Sequence, residues 1–184
     1  SGELYYYYFD RKVSLKERQD LAFIKFCDSQ SKDAFVARID GGLSTLRPYS
    51  PSGDKEQVSG SAGDMLLVQS SSPEEIDGLI KELKADPSVV FVSKALEYEG
   101  SLVGVSDEFS VKLRKGTSQT ELERLAAKFG CAVSQREFFG EDIFFIKVDK
   151  ASEFSVLKLA NSFYETGLFE FTSPDFYIFN AFSI

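Results

Sequence analysis

The chain has 184 residues, of which 43% are hydrophobic and 14% aromatic, enough apolar surface for a packed core and too much for a disordered segment. Lys and Arg number 21 against 29 Asp and Glu, and a net charge of −8 repels nucleic-acid phosphates and anionic lipid. There is no histidine, so neither a Ser-His-Asp triad nor a Cys-His pair can be assembled, and two cysteines cannot close a zinc site alone.

Leu4 to Phe9 (LYYYYF) and Val13 to Leu15 flank Asp10-Arg11-Lys12 and predict a small hairpin. Four successive tyrosines in a strand point alternately to its two faces, so two are exposed unless another element covers them. The strand reads either as an aromatic platform for a sugar or peptide, or as a cover packed on the unit that follows it. Leu21 to Phe26 predicts a strand, and Ala34 to Ile39 a short helix. Residues 41–63, rich in Gly, Ser and Pro, predict a long loop with one weak strand near Gln57 and Val58. Met65 to Gln69 is a strand. Ser72-Pro73-x-Glu75 then starts a helix with an N-cap, a proline at its first position and a glutamate at its third. Ile76, Leu79, Ile80 and Leu83 form its apolar stripe, Asp86-Pro87 stops it, and Val89 to Val92 is another strand.

The second half is cleaner. Phe109, Val111 and Leu113 alternate with Ser110, Lys112 and Arg114 in the period of a half-buried strand. Ser118 and Glu121 form a capping box, Leu122, Leu125, Ala126 and Phe129 a helical stripe, and Gly130 the stop. Cys131 to Phe139 and Ile143 to Val148 read as two strands joined through Gly140, Glu141 and Asp142. A helix from about Ser152 to Glu165 carries Val156, Leu159, Ala160 and Phe163, each 80 positions after its counterpart in the first half. Leu168 to Phe179 is a last strand, which Pro174 interrupts or confines to an edge. The order β-α-β-β-α-β is the ferredoxin-like split unit, and the shared helix register points to duplication. The expected fold is therefore α+β: residues 1–100 as the hairpin plus a degenerate ferredoxin-like unit, and residues 101–184 as a second unit with a C-terminal tail.

Candidate chemistry is sparse. Ser29-Gln30-Ser31-Lys32 has the S-x-x-K spacing but lacks its companion motifs. Glu74 and Glu75 suit a helix N-terminus, while Glu141 and Asp142 sit in a turn, and neither pair resembles the facing carboxylates of a glycosidase. No phosphate-cradling glycine loop occurs. Neither catalysis, a cofactor nor a metal is expected. Cys27 and Cys131 read as two buried thiols or as one long-range disulfide. No apolar run of about 18 residues predicts a membrane span.

The outstanding feature is apolar excess: 13 of 18 phenylalanines fall between Phe109 and Phe182. Phe144 and Phe145, and likewise Phe138 and Phe139, face opposite sides if both pairs lie in strands. A split unit with both helices on one side leaves its other sheet face bare, to be covered by the first unit or by a partner.

Between Glu108 and Phe179, the stretches EFSVKLRKGTSQTELERLAAKFGCAV, DIFFIKV and ANSFYETGLFEFTSPDF resemble the N-terminal prodomain of secreted subtilisin-like serine peptidases, especially the long Bacteroidetes type. The opening LYYYYFDRKVSL is similar to the start of the same proteins, whereas residues 27–63 match nothing in them. Ser173-Pro174-Asp175 stands where that family commonly has Glu-Pro-Asp. The resemblance implies a non-catalytic module that templates folding of a peptidase domain and inhibits it, in the secreted or cell-envelope compartment. It implies docking by the open sheet face, with acidic groups meeting helix N-termini, and by a tail laid as a strand in the substrate cleft. The residues it nominates for partner binding are Phe139, Glu141, Asp142, Phe144, Phe169, Phe171, Asp175, Phe176, Tyr177 and Phe179. The start at Ser1-Gly2-Glu3 suggests a piece of a longer protein whose signal peptide has been removed. The reading frame is expected to continue past Ile184 into a peptidase domain. The alternative is a tandem ferredoxin-like ligand-binding or surface-interaction module, since this fold serves many functions.

Overall fold

The computed structural model describes residues 3–49, 64–152 and 155–179. The protein is a mixed α+β structure, with nine antiparallel strands and four α-helices among the described residues. It forms two compact units, each of two chain segments: residues 16–104 with 177–184, and residues 1–15 with 105–176. These divide the chain differently from the expected cut after residue 100. The hairpin belongs with the second half, and the end of the last strand with the first half. The reason is strand length. Strands β2 (Arg11–Phe26), β6 (Ser101–Leu113) and β9 (Phe169–Phe179) each have a part in both units.

In the unit built on residues 16–104, β2 leads through α1 (Ser29–Asp40) and β3 (Arg47–Pro48) to β4 (Met65–Gln69), then through α2 (Pro73–Lys84) to β5 (Val89–Tyr98). Its strands pair in the order β3-β4-β2-β5. The expected separate strand at 21–26 is the end of a continuous β2. Its charged stretch stays extended because Arg18 binds the carboxylate of Asp20 through two nitrogens, 2.8 and 2.9 Å, and Glu97 at 2.8 Å. The expected domain boundary at Glu99-Gly100 is instead a two-residue hairpin turn, with φ of +48° and +81°, joining Tyr98 to Ser101. Positive φ at both central positions matches the twist of antiparallel strands.

Alternation in β2 and β4 divides the apolar side chains between two faces. On the helical face, Ala22, Ile24, Phe26, Leu66 and Val68 pack with Ile76, Leu79 and Leu83 of α2 and Phe35 and Ile39 of α1. On the opposite face, Leu21, Phe23, Met65, Leu67, Phe91 and Ala95 are buried with Leu102, and Tyr49 and Tyr177 pack against them. The weak strand expected near Val58 lies outside the described residues.

In the other unit, β6 leads through α3 (Gln119–Lys128) and β7 (Ala132–Ser134) to β8 (Ile143–Lys147), then through α4 (Val156–Glu165) to β9. The pairing order β7-β8-β6-β9 repeats that of the first half. Ser118 and Glu121 complete the expected capping box. Pro174 lies within β9, which among the described residues pairs with β6 and is an edge, where a missing N–H is tolerated. The expected helix start at Ser152 is not the start: α4 begins at Val156, capped by Ser155.

The hairpin of β1 (Leu4–Tyr8) and the start of β2 packs on α4 and belongs to the unit of the second half. Tyr7 stacks on Tyr164 at 4.3 Å between ring centroids, Tyr6 meets Phe176 at 4.9 Å, and Asn161 Nδ2 donates to Tyr5 O at 2.9 Å. The tyrosine strand is thus largely a cover, with its hydroxyls at the surface.

Candidate partner-binding site

The helical face of the second-half sheet takes the aromatic excess. Phe109, Val111, Phe144, Ile146, Phe163 and Phe169 are buried in one core with Leu122 and Ala126 of α3 and Leu159 and Ala160 of α4. Phe144 and Phe169, nominated for partner binding, are therefore core residues. Strand alternation put Phe144 on one face or the other, and it lies under the helices. The opposite face is not an aromatic surface. It carries Lys112 against Glu170 (3.2 Å) and Asp142 (3.9 Å), Lys147 against Asp107 (3.7 Å), and Arg136 paired with Glu108. Phe145 is its buried aromatic, with its ring covered rather than open.

That cover comes from the loop after β7. Strand β7 stops at Ser134, and the segment expected to continue as a strand turns into a single 3₁₀ turn at Glu137–Phe139. Gly140 ends the turn at φ +88°, a left-handed value that glycine adopts without strain. Gln135 Nε2 donates to Glu141 O at 2.9 Å, and Leu113 N to Asp142 O at 2.9 Å, which fixes both ends of the loop. The Arg136 guanidinium lies 3.8 Å above the Phe145 ring, and Phe139 meets that ring edge-on at 5.1 Å. With these two turned inward, Phe138 is left outward at 94% exposure, Phe139 is half exposed, and Glu141 and Asp142 are exposed beside them.

The structure thus brings Phe139, Glu141 and Asp142 together and adds Phe138, which sequence reasoning did not nominate. In the turn Phe139 folds inward onto Phe145 while Phe138 points outward. The Phe-Phe-Gly sequence was the available signal, since glycine directly after the pair marks a turn. The other nominated residues lie elsewhere. Phe171 is half-buried, 6.3 Å from Phe9; Phe176 packs on Tyr6; Asp175 is exposed on β9. Tyr177 packs inside the first-half unit, stacked on Phe91 at 5.8 Å and 5.6 Å from Phe23, with Lys25 Nζ 5.7 Å from its ring. The Phe179 side chain and the tail after it lie outside the described residues.

No protein-family model and no curated protein matches this sequence. Chemical inference therefore rests on the residues themselves. The loop offers rings, carboxylates and a guanidinium already held by Glu108, a set suited to binding. Among the described residues, no group of three or more His, Cys, Asp or Glu is arranged to hold a metal ion, and no helix is long and apolar enough to cross a membrane. Both cysteines are free. Cys27 is exposed, not buried as one reading expected, and burial raises the pKa of the half-buried Cys131.

A second exposed aromatic feature lies at the hairpin tip. Tyr8 and Phe9 are each 56% exposed, and Phe9 holds φ +54°, a value bulky residues rarely adopt. Below the tip, the hydroxyls of Tyr5 and Tyr7 both donate to Glu165 Oε1, at 3.2 and 3.1 Å. Desolvation first, and then the bond to Glu165, raise both phenols, Tyr7 to about 12.

Proposed function

We propose that this chain is a non-catalytic, prodomain-like region of a secreted or envelope-exported subtilisin-like serine peptidase. In this reading it comprises two tandem ferredoxin-like units that assist folding of the peptidase domain and hold it inactive. The observation that carries the reading is the loop at 136–142, where Phe138 stands at 94% exposure beside Phe139, Glu141 and Asp142. Apolar surface left in water costs about 25 cal/mol per Å², which a partner recovers by covering it. Carboxylates beside it suit the positive N-termini of surface helices on that partner. Two further features support the reading: the β-α-β-β-α-β order with the same pairing sequence in both halves, and the similarity of the FYETGLF and SPDF stretches to subtilase prodomains. Phe144, Phe169 and Tyr177 take no part in docking, because their rings pack within the chain. The contact is accordingly an edge of the second-half unit, with the loop as its centre.

The test has two arms. The gene is read past codon 184 for a peptidase domain carrying Asp, His and Ser motifs, and the purified chain is titrated against that domain with a chromogenic peptide. The expected result is stoichiometric inhibition, weakened at least about 30-fold by Phe138→Asp, the loss expected for one hot-spot side chain. Absence of a peptidase domain in frame or alongside, or full activity with excess chain present, refutes the reading.

A further inference from the structure

Two exposed aromatic patches lie in the same compact unit and carry opposite local charge. At the hairpin tip, Tyr8 and Phe9 are followed by Arg11, whose guanidinium sits 6.0 Å from the Tyr8 ring, and by Lys12, with Asp10 as the single acid. At the loop after β7, Phe138 and Phe139 are followed by Glu141 and Asp142, while the nearby Arg136 is taken up by Glu108 and Phe145. The tip carries two cations to one acid in a chain of net charge −8, and the aromatic loop carries two carboxylates.

We propose that the chain associates with a second copy of itself head to tail, the hairpin tip of one molecule seating on the 138–142 loop of the next. The rings at the tip and loop interlock edge to face, and Arg11 and Lys12 meet Glu141 and Asp142. The strained Phe9 backbone points the same way. A two-residue turn is normally built from Asn and Gly, so a phenylalanine at φ +54° keeps an aromatic ring at a tip that glycine would form more easily. Because the two surfaces differ, the contact is heterologous and propagates, giving dimers and then short chains, not a closed pair. The four exposed rings present roughly 500 Å² in total, taking about 200 Å² for each whole side chain. That is well below the roughly 1,200 Å² of a stable complex, so the association is weak and concentration-dependent. The inference requires only the two exposed patches and does not rest on the prodomain reading.

The experiment is sedimentation velocity on the whole chain from about 5 to about 500 μM, a range that spans weak, sub-standard interfaces. Wild type is compared with a tip variant (Tyr8→Ser with Phe9→Gly) and a loop variant (Phe138→Asp). Both variants change exposed side chains, and glycine relieves the left-handed turn, so both fold. The wild-type weight-average sedimentation coefficient is expected to rise with concentration, and to rise less in high salt. Each variant alone is expected to stay monomeric, because each retains one of the two surfaces. Their equimolar mixture is expected to form a 1:1 complex that grows no larger, since the tip of one variant and the loop of the other are intact. A wild type that stays monomeric at every concentration overturns the proposal. So does a mixture without a heterodimer, or a variant that associates as strongly as wild type. If the chain is monomeric while Phe138→Asp still abolishes peptidase inhibition, the loop serves the peptidase and the self-association is wrong.

Discussion

Gly104 lies in β6 where a side chain would enter the Phe23 ring. A Cβ built there comes 2.2 Å from Phe23 Cδ1, 2.5 Å from Cε1 and 2.7 Å from Cγ, against about 3.5–4.0 Å for carbon contacts at rest. Phe23 is fully buried and flanked by Phe91 at 5.4 Å and Tyr177 at 5.6 Å, so its ring cannot swing into water. Gly104→Ala must therefore displace backbone or ring by more than an ångström. Overpacking of this kind costs about 1–3 kcal/mol, and three overlapping ring atoms put it near the top of that range. The lower unfolded-state entropy of alanine offsets about 0.4–1 kcal/mol. The net loss expected is about 2 kcal/mol, a fall in Tm of about 4–8 °C for a chain of this length. Phe23→Ala removes all three overlapping ring atoms, so the double variant is expected to be more stable than the sum of the single losses by about 1–2 kcal/mol. Urea unfolding followed by circular dichroism measures all four proteins. Losses that add to within about 0.5 kcal/mol would refute the close approach of Gly104 to Phe23.

The assignment of Phe144 to the core and Phe138 to the surface predicts opposite outcomes for the same change: Phe144→Ala is expected to cost about 3–5 kcal/mol and Phe138→Ala less than about 0.5 kcal/mol in thermal or urea unfolding. The raised phenols of Tyr5 and Tyr7 favour the neutral form in the folded protein, so their contribution is complete below about pH 10 and is lost as pH rises through the folded values, about 12 for Tyr7. Absorbance at 295 nm is expected to show two late-titrating tyrosines, and Glu165→Gln to bring both back toward the ordinary range. On the acid side, Asp20 is held below the usual carboxylate range by its bond to Arg18 and then by Gln69, so its stabilising contribution is present above about pH 4 and is lost as pH falls through its folded value. Asp20→Asn is expected to flatten the acid limb of a Tm-against-pH curve, and an unchanged limb would show that the Arg18 bond does not couple to folding.

The second half was legible because its signals are local. The capping box at Ser118 and Glu121, the stripes ending at Phe129 and Phe163, and the alternation from Phe109 to Leu113 depend on neighbours within a turn or two. Strand lengths were not. Residues 16–20 and 93–98 carry charges that broke the apolar alternation, yet Arg18 with Glu97 and Lys94 with Glu17 pair those charges across β2 and β5 and keep both strands extended. The Glu99-Gly100 turn looked like a linker because only its backbone angles distinguish a hairpin from a boundary. Of the nominated binding residues, Glu141 and Asp142 were readable from their turn. Phe144 was not: alternation says that Phe144 and Phe145 face opposite ways, but which of them meets the helices depends on the register of β8 with β6, where Val111 lies opposite Phe144.

That register decides which rings of β8 are buried under the helices. Pairing Phe144 with Val111 and Ile146 with Phe109 turns four large apolar side chains toward the helices. Ser110 and Lys112 accompany Phe145 and Lys147 on the other face. A one-residue slip of β8 would send Phe144 outward and seat Lys147 in the core, exchanging a buried ring for an unpaired buried charge. The register is thus held by the cost of burying Lys147 as much as by the gain of burying Phe144. Along β6 and β8 it leaves one buried ring, Phe145, on the face that carries Lys112, Lys147 and their ion pairs. One ring can be capped by one short loop, and Arg136 with Phe139 does so. Phe138, which lies between the two capping residues in sequence, has no ring left to cover and points into solvent. An exposed aromatic at this position follows from satisfying Phe145 with a turn this short. The exposed edge is aromatic and acidic, and under the proposed docking Phe138→Asp is expected to weaken binding without disturbing the fold.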